Sequence, residues 1–465
     1  MTATVREFTS RAKVAIADPR LQSAIEGATN HFRQGREQAL AALPNAGALR
    51  DHTKAMRAAT LARLDEHLDT FARNARAAGA EVHFAADGHE ANRIVLEIAR
   101  RHGITLAVKS KSMATEETHL NRTLEEAGIT TVETDLGEWI IQLAGETPSH
   151  IIGPAIHKTR EQVAELLSLA AGQPLPTDVP VLTATARRLL RERFLAAGMG
   201  ISGGNIAIAE SGTVVLVTNE GNGRLVTSAP PVHVAVVGIE KIVPTWNDAA
   251  AVLALLARSA TGQPLSIYTS FVTGPARPGD PDGPREVHIV FLDNRRSAQL
   301  GTKYAEALQC IRCGACLNVC PVYREAGGHA YGSPYSGPIG AVITPLLSGL
   351  PEYSALPHAS TLCGACLDAC PVRIDLPRML LELRADEVAT GEAGPIERLI
   401  FKATALLMGH ARLWGLGPRL AARLQAPFQR DRTLHLPVEP AAGRPLPALA
   451  TRSFHERWKE MNRDS

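Results

Sequence analysis

The 465-residue sequence has no cysteine outside one short window, few aromatic residues, almost no net charge and no long apolar run. A formal charge of +2 without a basic stripe interleaved with aromatics argues against a nucleic-acid partner. The first residues contain no apolar core of the kind that a secretory signal needs. The most apolar later stretch, 399–424, is interrupted by Lys402, His410, Arg412 and Arg419, so we expect no transmembrane segment. These absences predict a cytoplasmic protein, in which thiols stay reduced.

Familiar catalytic motifs are missing as well. The chain has no nucleophile elbow, no phosphate P-loop and no H-E-x-x-H zinc motif. It also has no recognisable flavin or nicotinamide site, and cofactors of that kind carry the difficult redox chemistry of dehydrogenases. The pattern therefore favours an electron carrier without a catalytic residue of its own over a complete dehydrogenase.

All seven cysteines lie between Cys310 and Cys370, in two related motifs. The first motif, 310–321, reads C-x2-C-x2-C-x3-C-P, which is the spacing of bacterial iron–sulfur proteins. The second, 363–371, follows at an offset of fifty residues, and eight of ten aligned positions are identical. Under that offset Ser360 stands where a further cysteine would complete the second motif.

In two-cluster modules the fourth cysteine of each motif binds the cluster of the other motif. This rule predicts one [4Fe–4S] cluster held by Cys310, Cys313, Cys316 and Cys370. It leaves three thiolates for the second cluster, from Cys320, Cys363 and Cys366.

The second cluster therefore needs a fourth ligand that is not cysteine. The candidates are Ser360, His358, water or a ligand from a partner protein. We predict two [4Fe–4S] clusters, of which the second converts to [3Fe–4S] when it is oxidised. A pair of zinc sites is the alternative, but three closely spaced cysteines followed by Cys-Pro are typical of iron–sulfur proteins.

Hydrophobic periodicity divides the rest of the chain into regions. We predict a helical segment over 1–76, an α/β domain over 77–297, ferredoxin-type motifs over 301–330 and 350–379, and a helical, proline-rich C-terminal region over 380–465. The first segment should form a helical hairpin without chemistry of its own. Strands and helices alternate over 77–297, which favours a mostly parallel sheet covered by helices. The predicted strands are 82–85, 105–108, 130–133, 206–208, 213–218, 232–237 and 287–291, and the predicted helices are 88–102 and 115–127.

Polar segments of the α/β region are further candidate sites. Lys109–Ser112 follows a predicted strand and precedes a helix, where two lysines would suit a carboxylate or phosphate. The glycine-rich turn Gly198–Asn205 feeds a strand and does not link a strand to a helix, so it does not match the dinucleotide fingerprint. Glu210 is a candidate ligand-facing acid, and Asn219–Arg224 is predicted to be a hairpin loop. The group of His150, His157 and Lys158 makes a poor metal site, because its members flank Pro154.

Three parts of the sequence together resemble the lactate utilization protein B family, the iron–sulfur subunit of a bacterial L-lactate oxidation system. They are Lys109–Met113 with Glu133–Glu138; Glu210–Thr213, Asn219–Arg224, Pro230–His233 and Gly238–Lys241; and the two cysteine motifs. The resemblance implies a LUD α/β domain of the NagB/RpiA/CoA-transferase-like fold class, with N-terminal helices. It implies that an α-helical ferredoxin-type two-cluster domain and a helical C-terminal tail follow. It also implies two partners, a cysteine-rich heterodisulfide-reductase-like subunit and a smaller LUD-domain subunit.

The leading hypothesis is an electron-transfer subunit of L-lactate oxidation to pyruvate. Lactate oxidation releases two electrons, which neighbouring iron–sulfur clusters would pass on singly. One alternative is the iron–sulfur subunit of another 2-hydroxyacid oxidase, such as one for glycolate. Others are a CoA-transferase-like enzyme with structural clusters that uses Glu210 as nucleophile, and a redox sensor.

Overall fold

The computed structural model describes residues 3–391, 395–410, 420–430, 433–434, 446–452 and 454–462. By contacts the chain forms two compact units, Met1–Ala389 and Thr390–Ser465. None of the helices in these ranges combines the length and apolar character that crossing a bilayer requires. The larger unit contains the α/β body and both cysteine motifs.

Four helices begin the chain: α1 Ala3–Ile16, α2 Pro19–Ala41, α3 Ala46–Ala62 and α4 Leu64–Ala77. They break near Asp18, Asn45 and Arg63, so the segment forms four helices and not the predicted hairpin. The Asp18 side chain accepts hydrogen bonds from two backbone amides of the first turn of α2, and Pro19 supplies the first helical residue. In α4 the buried residues Phe71, Ala72 and Ala75 share the face that packs on the α/β body.

The strands of the α/β body are β1 Glu81–Ala85, β2 Leu106–Lys109, β3 Thr130–Glu133, β4 Met199–Ser202, β5 Ile206–Ile208, β6 Thr213–Thr218, β7 Val232–Gly238, β8 Ile242–Val243, β9 Tyr268–Val272 and β10 Glu286–Leu292. Six of them pair in the order β1-β10-β7-β4-β2-β3, and every pairing is parallel. The central strands are buried along their length, as expected for a parallel sheet with both faces covered. The other four form a smaller sheet in the order β8-β5-β6-β9.

The helices around these sheets are α5 Gly88–Arg101, α6 Met113–Glu117, α7 Leu120–Glu126, α8 Leu136–Ala144, α9 Arg160–Ala171, α10 Val179–Ala196, α11 Asn222–Ser228 and α12 Trp246–Ala260. The predicted helix 115–127 is two helices, because His119 adopts a left-handed conformation with φ of 54°. The predicted strands all appear within one residue of their expected bounds.

Two predictions for glycine-rich segments are wrong. A turn was expected over Gly198–Asn205, but Met199–Ser202 within it is a central strand. Gly198, Gly200 and Gly203 have the spacing of the dinucleotide fingerprint, although the segment does not link a strand to a helix. Gly200 is required there, because a Cβ atom would lie 1.9 Å from the carbonyl oxygen of Val226 in α11. The segment Asn219–Arg224 is not a hairpin loop, because α11 begins at Asn222 and carries the chain away from β6.

The cysteine region adds α13 Ala315–Asn318, α14 Pro321–Ala326, α15 Gly337–Ser348, α16 Ala365–Ala369 and α17 Leu376–Thr390. Its apolar residues share one core with α2 and α12, so the motifs are built into the larger unit. In the second unit the described elements are α18 Pro395–Gly409, helical residues 420–424, a 3-10 helix Ala426–Phe428, three two-residue strands and α19 Phe454–Met461. Three prolines of the predicted proline-rich stretch, Pro437, Pro440 and Pro445, lie outside the described residues.

Lys109, a predicted anion-binding residue, is instead a buried structural cation. Its Nζ atom lies 2.7 Å from Glu133 Oε1 and 3.0 Å from Glu116 Oε1. Burial opposes the charge, but the two carboxylates outweigh it and raise the pKa of Lys109. Lys109 therefore joins the ends of β2 and β3 to α6 and is not available to a ligand.

We expect Lys109→Met to lower the free energy of unfolding by about 3–5 kcal/mol, because it leaves buried carboxylates without their cation. Urea unfolding of the anaerobically purified protein measures this loss. The matched control is Arg122→Met, which removes an exposed ion pair with Glu126 and should leave the unfolding midpoint unchanged. Equal midpoints for the two variants would contradict the structural role of Lys109.

Candidate functional site: the cysteine loops

Two residues with a left-handed backbone conformation shape the first cysteine loop. Cys310 ends a 3-10 helix, Arg312 has φ of 61°, and Gly314 has φ of 74° before α13 begins. The backbone N–H of Arg312 donates to Cys310 Sγ at 3.4 Å. A backbone donor to the sulfur favours the thiolate form and is one of the contacts that tune iron–sulfur sites.

The second loop repeats this conformation. Leu362 has φ of 54° and Gly364 has φ of 83°, at the positions equivalent to Arg312 and Gly314. The backbone N–H of Leu362 donates to Ser360 Oγ at 3.1 Å, as that of Arg312 does to the Cys310 sulfur. Ser360 Oγ thus has the position in the second loop that Cys310 Sγ has in the first.

The seven thiols interact in two groups that mix the motifs. Cys370 of the second motif interacts with Cys310 and Cys313 of the first, and Cys316 interacts with the same pair. Cys320 of the first motif interacts with Cys363 and Cys366 of the second. An interaction between Cys316 and Cys366 links the groups, which therefore lie side by side.

Most of these thiols are withdrawn from water. Burial, with the neighbouring thiols, raises the pKa of Cys313 to about 12 and that of Cys370 to about 11. Cys363 alone is exposed, and a hydrogen bond to Thr361 lowers the pKa of its thiol. Binding of a metal would have to displace the protons of the buried thiols, as metal coordination does.

The sulfur spacing suits clusters better than zinc. Four thiolates on one zinc ion, with Zn–S of about 2.3 Å, lie about 3.8 Å from one another. Within the described residues, which include every cysteine, no three sulfur atoms lie within 4.8 Å of one another. A wider set fits a cluster, because each thiolate then binds a different iron atom. The donor set therefore fits the predicted iron–sulfur clusters.

Five cations surround the group that contains Cys310 and Cys370, and sequence reasoning missed all of them. The interacting side chains are Arg36 of α2, Arg50 and Arg57 of α3, Lys241 after β7, and Arg312 within the motif. The N-terminal helices thus contribute three of the five cations. Only Arg312 could have been found, since it lies between two cysteines; the others come from distant parts of the chain.

The remaining candidate residues do not form one site, although His150 contacts the first cysteine motif. Glu210 is exposed and accepts a hydrogen bond from the backbone N–H of Trp246, at the first turn of α12. His150 is buried, burial lowers its pKa to about 4, and its ring bonds to Asn318 Oδ1 at 3.1 Å. His157 pairs with Glu146 instead, so the two histidines form no common site.

A cavity of about 260 Å³ lies beside the first cysteine loop. It is lined by Lys111, by residues of the Gly203–Asn205 turn, by Asn219 and by Arg312. Segments that were separate candidates in the sequence therefore meet here. Glu210 and Lys109 are not among the lining residues.

Comparison with known proteins identifies both halves of this arrangement. Residues 68–292 match the family model described as "LUD domain", and residues 306–374 match that described as "4Fe-4S dicluster domain". The two matches cover the α/β body and both cysteine motifs.

Curated relatives match over nearly the whole length. "Lactate utilization protein B" of Shouchella clausii is 41% identical over 462 residues, 98% of this chain and 97% of that protein. The protein of the same name from Exiguobacterium sp. is 46% identical over 423 residues, 91% of this chain and 90% of that protein. "Uncharacterized electron transport protein YkgF" of Escherichia coli is 41% identical over 422 residues, 91% of this chain and 89% of that protein.

Proposed function

The chain belongs to the lactate utilization protein B family, and from this membership we propose that it is an iron–sulfur electron-transfer protein of L-lactate oxidation to pyruvate. The observation that carries the proposal is the assembly of seven thiols into two adjacent groups, six of them in or against one apolar core and Cys363 exposed. The family and the cysteine chemistry agree on this function.

We assign Cys310, Cys313, Cys316 and Cys370 to one [4Fe–4S] cluster. Cys320, Cys363 and Cys366 would hold the second, which converts to [3Fe–4S] when it is oxidised. When bound, such clusters supply transfer of single electrons. The chain contributes the thiolates, the apolar walls that exclude water, and the cations near Cys310 that offset negative charge. The exposure of Cys363 supports electron exchange with a partner at the second site.

Ser360 is the best candidate for the fourth ligand of the second site. Its hydroxyl repeats the backbone contact of Cys310. His358, the other protein candidate, bonds through Nε2 to Glu387 Oε2 at 2.7 Å, so only its Nδ1 is left to bind iron. Water and a partner's ligand remain the alternatives.

The finer assignments are part of the same proposal. A cysteine-rich heterodisulfide-reductase-like subunit and a smaller LUD-domain subunit would be the partners. The dense set of free thiols supports a reducing, cytoplasmic setting. For the α/β body we retain the NagB/RpiA/CoA-transferase-like assignment, and for the cysteine region the helical ferredoxin-type one.

The alternatives are less well supported. A CoA-transferase role needs a nucleophile that faces a binding cavity, whereas Glu210 bonds to the backbone of α12 at the surface. An oxidase for another 2-hydroxyacid such as glycolate would use the same cysteine groups, and the names of the relatives favour lactate.

Replacing Cys313 with serine should abolish growth on lactate and the EPR signal of the first cluster. The physical reason is that a hydroxyl replaces one of the four thiolates that we assign to that cluster. Glu210→Ala is the control: it should keep growth and both EPR signals, whereas the CoA-transferase alternative requires it to stop growth. Normal growth of the Cys313→Ser strain without its clusters would exclude an electron-transfer role.

The crossed assignment predicts that two further variants each lose a different cluster. Cys370→Ser should remove the first cluster and spare the second, and Cys320→Ser should do the reverse. EPR spectra recorded during stepwise anaerobic reduction measure both clusters in each variant. If each motif instead held its own cluster, the two phenotypes would be exchanged.

Ser360→Cys should supply the second site with a fourth thiolate. We expect the variant to retain its [4Fe–4S] signal after mild oxidation, under conditions that convert most of the wild-type site to the three-iron form. Ser360→Ala is the matched control and should oxidise at least as readily as the wild type. Equal oxidation of Ser360→Cys and wild type would show that the side chain at this position does not reach the fourth iron.

A further inference from the structure

The cavity beside the first cysteine loop occupies the usual ligand position of a parallel sheet. Residues Ser110–Ser112 follow β2, and Gly203–Asn205 follow β4, its neighbour. From β2 the chain continues outward to β3, whereas after β4 it passes through β5 and β6 of the smaller sheet and returns to the first sheet at β7, on the other side of β4. Loops that leave adjacent strands in opposite directions open a crevice at their carboxyl ends, and ligands of α/β proteins bind there.

Close backbone packing shapes this crevice. A Cβ atom at Gly203 would lie 2.8 Å from Ser112 Oγ, and one at Gly204 would lie 2.9 Å from Val237. Larger residues would force the two loops apart. Gly203 therefore lets the β4 loop approach the β2 loop, and Gly204 lets it lie against β7.

Buried donors without partners line the cavity. In the described part of the chain, Ser110 Oγ, Lys111 Nζ and both terminal nitrogens of Arg312 have no hydrogen-bond acceptor. Arg312 is held only by an ion pair of 3.5 Å with Glu240 and by the ring of Tyr335, 4.5 Å away. Burying unpaired donors is costly, and a functional reason is then expected. These donors are the groups that bind a carboxylate.

The charges beyond this wall also favour an anion. The two carboxylates Glu117 and Glu240 interact with four cations, which are Arg57, Lys241, Arg296 and Arg312. The group therefore has more positive than negative charges. Lys241, Arg296 and Arg312 line the cavity, and Arg57, Lys241 and Arg312 also interact with Cys310. These cations would therefore stabilise both an anion in the cavity and the thiolates.

Two acids that also line the cavity, Asp135 and Glu220, provide a second kind of contact. The carboxyl groups of Asp135 and Glu220 lie close enough to interact, and Lys111 interacts with both. Burial, together with Asp135, raises the pKa of Glu220 to about 7. A carboxyl pair that shares a proton can both donate to and accept from a hydroxyl or carbonyl oxygen.

We infer that this cavity binds a small 2-hydroxy or 2-oxo monocarboxylate. Its carboxylate would lie toward Ser110, Lys111 and Arg312, and its second oxygen would lie toward the pair of Asp135 and Glu220. A volume of about 260 Å³ holds such an acid with a few waters but not a coenzyme. The choice of acid rests on the proposed function; the site itself rests on the cavity and its donors.

The site would place its ligand next to the first cysteine group. The side chain of Arg312 lines the cavity, and its backbone N–H donates to Cys310 Sγ at 3.4 Å. One residue therefore contacts both the ligand and a cluster-binding loop. The inference concerns binding, and the oxidation itself is not assigned to this cavity.

Calorimetric titration of the anaerobically purified holoprotein tests the inference. We expect saturable binding of L-lactate and pyruvate with one site per chain. Propionate, which lacks the second oxygen, should bind at least tenfold more weakly. Saturable binding of inorganic phosphate but of neither acid would show that the ligand class is wrong.

Two variants locate the binding. Ser110→Ala should weaken binding about tenfold, as expected for one lost hydrogen bond to a charged group, while its thermal midpoint stays equal or rises because an unpaired buried hydroxyl is removed. Lys111→Met should weaken binding further. Lys13→Met, on the exposed face of α1, is the control and should bind as the wild type does. Wild-type affinity in both cavity variants would overturn the site.

The cluster spectrum separates this inference from the proposed function. Absence of any saturable heat in a protein with an intact EPR spectrum would refute the cavity site and leave the electron-transfer role untouched. A chain that binds the acids but never shows a cluster signal would refute the electron-transfer role and leave the cavity site standing.

Discussion

A single buried carboxylate, Glu240, joins the three parts of the larger unit. It follows β7, and its side chain lies 2.7 Å from Arg296 after β10 and 3.5 Å from Arg312 in the first cysteine loop. Arg57 of α3 donates to its backbone carbonyl. Burial opposes ionisation of Glu240, but Arg296, Lys241 and Arg312 outweigh it and lower its pKa to about 2. A buried charge with this many partners holds its neighbours in place, because separating any of them leaves an uncompensated ion.

The same contacts explain why the cysteine motifs are part of the α/β unit. Thiolates withdrawn from water need positive charge nearby, and a short motif supplies only Arg312. The N-terminal helices and the end of β7 supply the remainder, including Arg50, which donates to the backbone carbonyl of Cys370 at 2.7 Å. Net charge and hydrogen bonds near the sulfurs set the potentials of iron–sulfur sites. The α/β body therefore acts on the electron-transfer site even where no residue of it binds iron.

Lys109 and Lys111 show what a local sequence pattern can and cannot predict. Their position after a strand and before a helix was read correctly from the sequence, and the residues are two apart in one motif. Lys109 lies within an ion-pair network between β3 and α6, whereas Lys111 lines the cavity. Whether a lysine of this motif pairs with carboxylates or lines the cavity depends on β3, which lies more than twenty residues further along the chain. Sequence spacing cannot distinguish the two cases.

The sequence alone determined the features that depend on neighbouring residues. Seven of the ten strands of the α/β body follow from hydrophobic periodicity, and the spacing of the cysteines with Gly314 and Gly364 specifies two similar loops. Tertiary structure decided which thiols meet across the motifs, which cations surround them, and that a cavity lies next to Cys310. These features depend on residues that are far apart in the chain, because burial and charge compensation are properties of the packed molecule.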